Sequence, residues 1–185
     1  YTSISFDEAS NIVNEAGLSK LVDMNILTGG WANSNYKLSL NDNTDIVLKI
    51  WDEQTIDEVS YLLSITTYLS ENNVPTPTPI PFSNGELLIV KDGKAWTLLP
   101  FIEGSWLEPN INSLYSLGRV QASLHLVKPP VHMKETYSMG YSLFEKLFLI
   151  ADEKNEWSDF MVMLKSETTT LKQNIGILPK GIIHG

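Results

Sequence analysis

The 185-residue chain contains no cysteine. That absence excludes disulfides, thiolate metal sites and cysteine nucleophiles together. It fits a reducing cytoplasm, where we expect the protein, without requiring one. Arginine is almost missing: of 13 basic residues only Arg119 carries a guanidinium, so bidentate arginine chemistry is scarce. Long apolar runs are missing too. None reaches the roughly 18 to 20 residues needed to span a bilayer, and the greasiest stretch, 141–151, is broken by Glu145 and Lys146. No signal-peptide pattern opens the chain, which starts at Tyr1 rather than methionine, so both ends are expected to be cuts from a longer protein. Excess positive charge is lacking as well. A net charge of -9 and a pI near 4.7 argue against a nucleic-acid or anionic-membrane partner, yet a few focused donors still suffice for a small anionic ligand. Several signatures are also absent: no G-x-x-x-x-G-K-[ST], no G-x-G-x-x-G after a strand, and no G-x-S-x-G. His125, His132 and His184 lack metal-ligand spacing, so no metal site is expected from them.

What is present is an ordinary apolar fraction of 43% and a clear order of elements. Ser5-Phe6-Asp7-Glu8 reads as a capping box and predicts a short helix ending near Gly17. Residues 22–29 and 35–40 read as strands around a Gly-Gly loop, with turn chemistry at Asn41-Asp42-Asn43. Ile46 to Trp51 reads as a buried strand carrying one lysine. Thr55-Ile56-Asp57-Glu58 is a second capping box, followed by Val59, Leu62, Leu63, Thr66 and Leu69 at helical spacing. Prolines at 75, 77 and 79 force an extended connector. An SH3-type ligand is the other reading of that run. Strands at 86–91 and 95–99 flank Asp92-Gly93, a hairpin signal. From Ile111 the pattern turns helical, with Gly118 and Ala122 placed for close helix packing. A single helical stretch is expected over 141–174, before Gly176 and Pro179 interrupt. The composition shift predicts a strand-rich lobe at 1–100, a hinge at 101–104 and a helical lobe at 105–185.

Four local constellations bear on chemistry. Gly29-Gly30-Trp31-Ala32-Asn33-Ser34-Asn35-Tyr36 lies between two strands; its amides and side chains suit phosphate oxygens, or it is an ordinary β-turn. Lys49 shares a strand face with Val47 and Trp51, so its ammonium either faces a cleft by the glycines or reaches water from an edge strand. Glu58 can pair with Lys49 if its helix crosses the sheet, or can serve only the capping box; Asp57 and Glu53 are alternative partners. Leu98-Leu99-Pro100-Phe101-Ile102 leaves the sheet through an apolar connector, which can offer free backbone groups to a flat heterocycle or simply pack.

In that order these features resemble the aminoglycoside phosphotransferase and choline kinase superfamily, with a protein-kinase-like fold. The resemblance rests on Gly29 to Tyr36, Asp45-Ile46-Val47-Leu48-Lys49, Glu58 with the following proline run, Phe101-Ile102-Glu103-Gly104-Ser105-Trp106-Leu107, Leu117-Gly118-Arg119, Ser123-Leu124-His125, and Gly181-Ile182-Ile183-His184-Gly185. It implies an α+β, two-lobed fold with an antiparallel five-stranded lobe, an inserted helix and an incomplete helical lobe. It also implies ATP as cofactor, with contacts at Gly29, Gly30, Asn33, Ser34, Asn35, Lys49, Glu58, Leu99, Pro100 and Ile102. Lys49 would meet the phosphates and Glu58 orient it; the Pro100 carbonyl and Ile102 amide would bond the adenine edge. His184 would be structural, and His125 a packed core residue. The catalytic aspartate and the asparagine and aspartate holding Mg²⁺ would follow Gly185, so the 185 residues alone are expected to be inactive. The partner would be a small hydroxyl acceptor, homoserine-like by a slight preference over choline-like. A non-catalytic nucleotide-binding pseudokinase and an interaction module using the proline run are the alternatives.

Overall fold

A computed structural model describes residues 2–29, 32–134, 141–174 and 182. Helix α1 (Phe6–Glu15) starts where Ser5 and Glu8 cap each other's amides reciprocally, the box read from the sequence. Strands β1 (Leu21–Leu27), β2 (Asn33–Leu40) and β3 (Asp45–Trp51) follow, then helix α2 (Ile56–Glu71). Thr55 and Glu58 form its capping box. Strands β4 (Ile89–Lys91) and β5 (Lys94–Pro100) complete one antiparallel sheet in the order β1-β2-β3-β5-β4. Their turn has positive φ at both central residues, Asp92 (50°) and Gly93 (73°), the combination that matches strand twist in a two-residue hairpin. β4 is shorter than the predicted 86–91 strand.

Strict alternation gives the sheet two faces. Leu38, Leu48, Ile50, Trp96 and Leu98 are buried on one face, where Ala9, Ile12 and Val13 of α1 cover them. Each such side chain contributes roughly 1.5–3 kcal/mol by leaving water. On the other face α2 seats Val59 and Leu63 against Ala95. Leu62, expected on the packed stripe, is exposed, because the contact with β5 uses only the ridge through Val59 and Leu63.

The chain divides into two units, Tyr1–Val120 and Gln121–Gly185, so the division falls inside helix α3 (Ile111–Leu126). Among the described residues, a methyl group at Gly118 would meet no atom within 4 Å. In the second unit the single helix expected over 141–174 is two: α4 (Tyr141–Lys154) and α5 (Asp159–Asn174). The break has a local cause. Asn155 adopts the left-handed conformation (φ 52°) that ends helices, and Ser158 Oγ then accepts the Met161 amide to start the next. Phe148 and Trp157 stack 5.8 Å apart beside that break. The segment 181–185, a strand or the loop after one by its pattern, lies outside the described residues except for Ile182, which is buried.

Candidate functional site

Cross-strand register assembles the candidate site on the sheet face opposite α1. Asn35 pairs with Lys49, and Lys49 pairs with Thr97, so three strands contribute one row. Val47 and Leu99 form the neighbouring row toward the end of β5. Lys49 is half-buried, and burial pushes its pKa below the ordinary lysine value. Its ammonium lies 3.7 Å from the centroid of the Trp51 ring. Trp51 Nε1 donates to Thr97 Oγ1 at 3.1 Å.

Glu58 is engaged at the start of α2: its Oε2 accepts from the Thr55 amide and from Thr55 Oγ1, both at 2.9 Å. The five ion pairs found among the described residues do not include Lys49.

The glycine loop is shorter than expected because Asn33 and Ser34 already belong to β2, opposite Trp51 and Ile50. Gly29 has a φ of 114°, open only to glycine at low cost. Gly30 lies outside the described residues, as does His184. Alternation separates the three polar residues that follow. Asn33 and Asn35 share the Lys49 face, whereas Ser34 turns inward and is 1% exposed. Asn33 Oδ1 accepts the Asp52 amide at 3.3 Å.

Ser34 belongs to a polar network that sequence reasoning missed. Its hydroxyl donates to Asp52 Oδ2 at 2.6 Å and accepts the Thr2 amide at 2.6 Å. Lys94 Nζ bonds both Asp52 Oδ1 and Thr2 Oγ1 at 2.6 Å. Burial works to raise the Asp52 pKa, but donation from Lys94, Ser34 and Thr2 outweighs it and holds the carboxyl well below its usual range. No short motif signals this network, since its members come from residues 2, 34, 52 and 94.

At the exit of β5 the Phe101 amide donates to the Asp45 carbonyl at 3.2 Å. Strand alternation therefore directs the Pro100 carbonyl to the edge away from β3. The Leu98 carbonyl uses that same edge to accept the Ile80 amide at 2.8 Å. Proline at 100 costs no ladder bond, because its position asks only for a carbonyl. The Ile102 side chain is exposed beyond it. Lys37 bonds Asp45 at 2.7 Å and sits 4.4 Å above the Phe101 ring, which steadies the start of the connector.

The arrangement offers a half-buried cation and an adjacent apolar row on one face, with a carbonyl on the strand edge at the end of that row. It suits a ligand with a flat ring at one end and negative charge at the other. A metal ion is a different matter. Among the described residues no group of three or more histidine, aspartate or glutamate side chains converges to hold one.

Residues 23–185 match the profile of the phosphotransferase enzyme family. The homoserine kinase of Rhodopseudomonas palustris (strain TIE-1) is 23% identical over 193 aligned positions, covering 100% of this chain and 58% of that protein. The homoserine kinase of Cupriavidus pinatubonensis is 28% identical over 130 positions, covering 68% of this chain and 39% of that one. The chain thus spans 58% of the length of the first of these relatives. Among solved structures, a spectinomycin phosphotransferase in complex with ADP and spectinomycin aligns with a TM-score of 0.65 at 16% identity, over 97% of this chain and 60% of that one. A fructosamine-3-kinase assignment from Thermobifida fusca aligns at 0.58 and 13% identity, over 96% and 65% respectively. These two alignments establish a shared α+β fold of the protein-kinase-like type.

Proposed function

Since the chain belongs to the phosphotransferase enzyme family, we propose that it forms the nucleotide-gripping part of an ATP-dependent small-molecule kinase. The full-length protein would move the γ-phosphate of ATP to a hydroxyl of a small metabolite. The observation that carries this reading is the single face holding Lys49, Val47 and Leu99, bordered at the exit of β5 by the Pro100 carbonyl on the strand edge away from β3. Lys49 would bind phosphate oxygens, and Val47 with Leu99 would underlie the adenine ring. The Pro100 carbonyl and Ile102 amide would read the adenine edge. Gly29 and the loop after it would close over the phosphates, with Asn35 beside Lys49 on the same row. Asn33 and Ser34 would serve indirectly, since their side chains already bond Asp52. Glu58 would contribute by fixing the first turn of α2.

ATP supplies the phosphoryl group; these residues bind and orient it, which is most of what phosphoryl transfer asks of a protein. The base and metal ligands would come from outside the 185 residues. A homoserine-like acceptor is favoured by Asn33-Ser34-Asn35-Tyr36 and by the homoserine kinases among the relatives, with a choline-like acceptor second.

The test uses the full-length protein, with ATP, Mg²⁺ and a panel including homoserine and choline, read as ADP release. Turnover with one of them that is lost in Lys49→Ala supports the reading. Turnover indifferent to that change, or an absence of ATP binding, would sink it; binding without turnover on any acceptor would favour a pseudokinase.

A further inference from the structure

Resting on the nucleotide-binding reading above, we propose that Trp51 is a positioning residue for Lys49, seating the ammonium on its ring face. Lys49 and Trp51 are two apart on β3 and therefore share a face. The ammonium sits 3.7 Å from the ring centroid, well inside the range of a cation–π contact. The ring itself is held at both ends. Its Nε1 donates to Thr97 Oγ1, on a side chain that is 0% exposed, and Thr97 is the cross-strand partner of Lys49. The side chain also packs against the buried cluster of Val59 and Leu63 from α2 and Ala95 from β5.

A lysine stem is four carbons long and loses about 2 kcal/mol of rotamer freedom when its head is fixed. A ring locked beneath the head accepts that loss at folding, before any nucleotide arrives. The same ring steadies a cation whose burial works against its charge. Lys49 remains only half-buried on the ring. Because the cluster packed against Trp51 includes Val59 and Leu63 of α2, a shift of the helix would be felt at Lys49 through the ring. Glu58 Oε2 accepts from the Thr55 amide and hydroxyl.

The test takes the full-length protein grown on ε-¹³C-lysine, with the Lys49 signal assigned by its loss in Lys49→Met. Ring current should place that signal upfield of the other lysines; Trp51→Leu should return it to them and Trp51→Phe should keep part of the shift. In kinetics, Trp51→Leu should raise the KM for ATP roughly two- to thirtyfold, the range set by a cation–π contact. The acceptor KM and kcat should stay within about twofold, because the interaction acts on ATP binding rather than on the chemical step. Trp51→Phe should recover most of the loss, and Thr97→Val should raise the ATP KM less but in the same direction. An unshifted Lys49 signal, or an unchanged ATP KM in Trp51→Leu, overturns the proposal. So does a Glu58→Gln effect on that KM as large as the Trp51→Leu effect. A shifted signal in a folded protein that binds no ATP sinks the kinase reading while upholding the seat of Lys49 on the ring.

Discussion

Ser34 Oγ donates to Asp52 Oδ2 across 2.6 Å, tying the second residue of β2 to the residue just past β3. Both lie next to the glycine loop, so this bond sets where β2 emerges from it. Asp52→Asn should cost about 1.5–3 kcal/mol, the usual worth of hydrogen bonds to a charged group, since it removes the partner of Lys94 as well. Ser34→Ala should cost about 1 kcal/mol. Urea unfolding followed by tryptophan fluorescence measures both, and a neutral Asp52→Asn would show that the network contributes nothing to stability.

Glu8 gives a pH signature. Hydrogen bonds from Lys91 and then from Ser5 lower its pKa from 4.5 to about 2. The folded value is depressed, so the contribution to stability is complete above about 4.5 and disappears as pH falls through that window toward about 2. A plot of Tm against pH should therefore fall more steeply for the wild type than for Glu8→Gln between those values. Added salt should shrink the difference, because both partners are substantially exposed. Parallel curves would refute the assignment.

Lys49 sets function against stability. Burial lowers its folded pKa, so keeping it charged at neutral pH costs stability, and that cost is relieved only as pH rises through the folded value toward the unfolded one. Lys49→Met should therefore raise Tm at pH 7 while weakening ATP binding roughly ten- to a hundredfold, the loss of a charge-assisted contact. Calorimetric titration and a thermal melt on one preparation check both halves. A lower Tm would mean that the cation–π contact outweighs the burial cost.

Gly29 and Gly93 separate two uses of a positive φ. At Gly93 (73°) an alanine strains a turn, and at Gly29 (114°) it strains the loop beside Lys49. Neither alanine methyl meets an atom within 4 Å, so the penalty in each case is conformational. Each should cost roughly 1–2 kcal/mol of stability. Only Gly29→Ala should also raise the ATP KM, and equal KM values for the two variants would remove Gly29 from the nucleotide site.

How much of this was legible in the sequence depended on distance along the chain. Ser5 with Glu8, Thr55 with Glu58, and Asp92 with Gly93 are local chemistry, and each built the cap or turn its residues prescribe. Alternation placed Val47, Lys49 and Trp51 on one face before any coordinates were needed. The two readings of Glu58 could not be separated from sequence, because whether a carboxylate turns to its own helix end or across the sheet depends on how α2 is seated. Asn33 and Ser34 looked like loop residues, since asparagine and serine favour turns; pairing with Trp51 and Ile50 overrode that preference. The Ser34–Asp52–Lys94 network draws on separations of 18 and 42 residues and has no local signature.

The tie at Thr2 has a practical consequence. Its carbonyl accepts the Tyr36 hydroxyl at 2.8 Å and its amide meets Ser34, so anything joined ahead of residue 2 departs beside the opening of β2. Ser34 and Tyr36 turn to the α1 side of the sheet, so a purification handle or reporter fused there leaves on the face opposite Lys49. Under the proposed reading, an ATP affinity measured with such a handle attached should match the one measured after a protease has removed it.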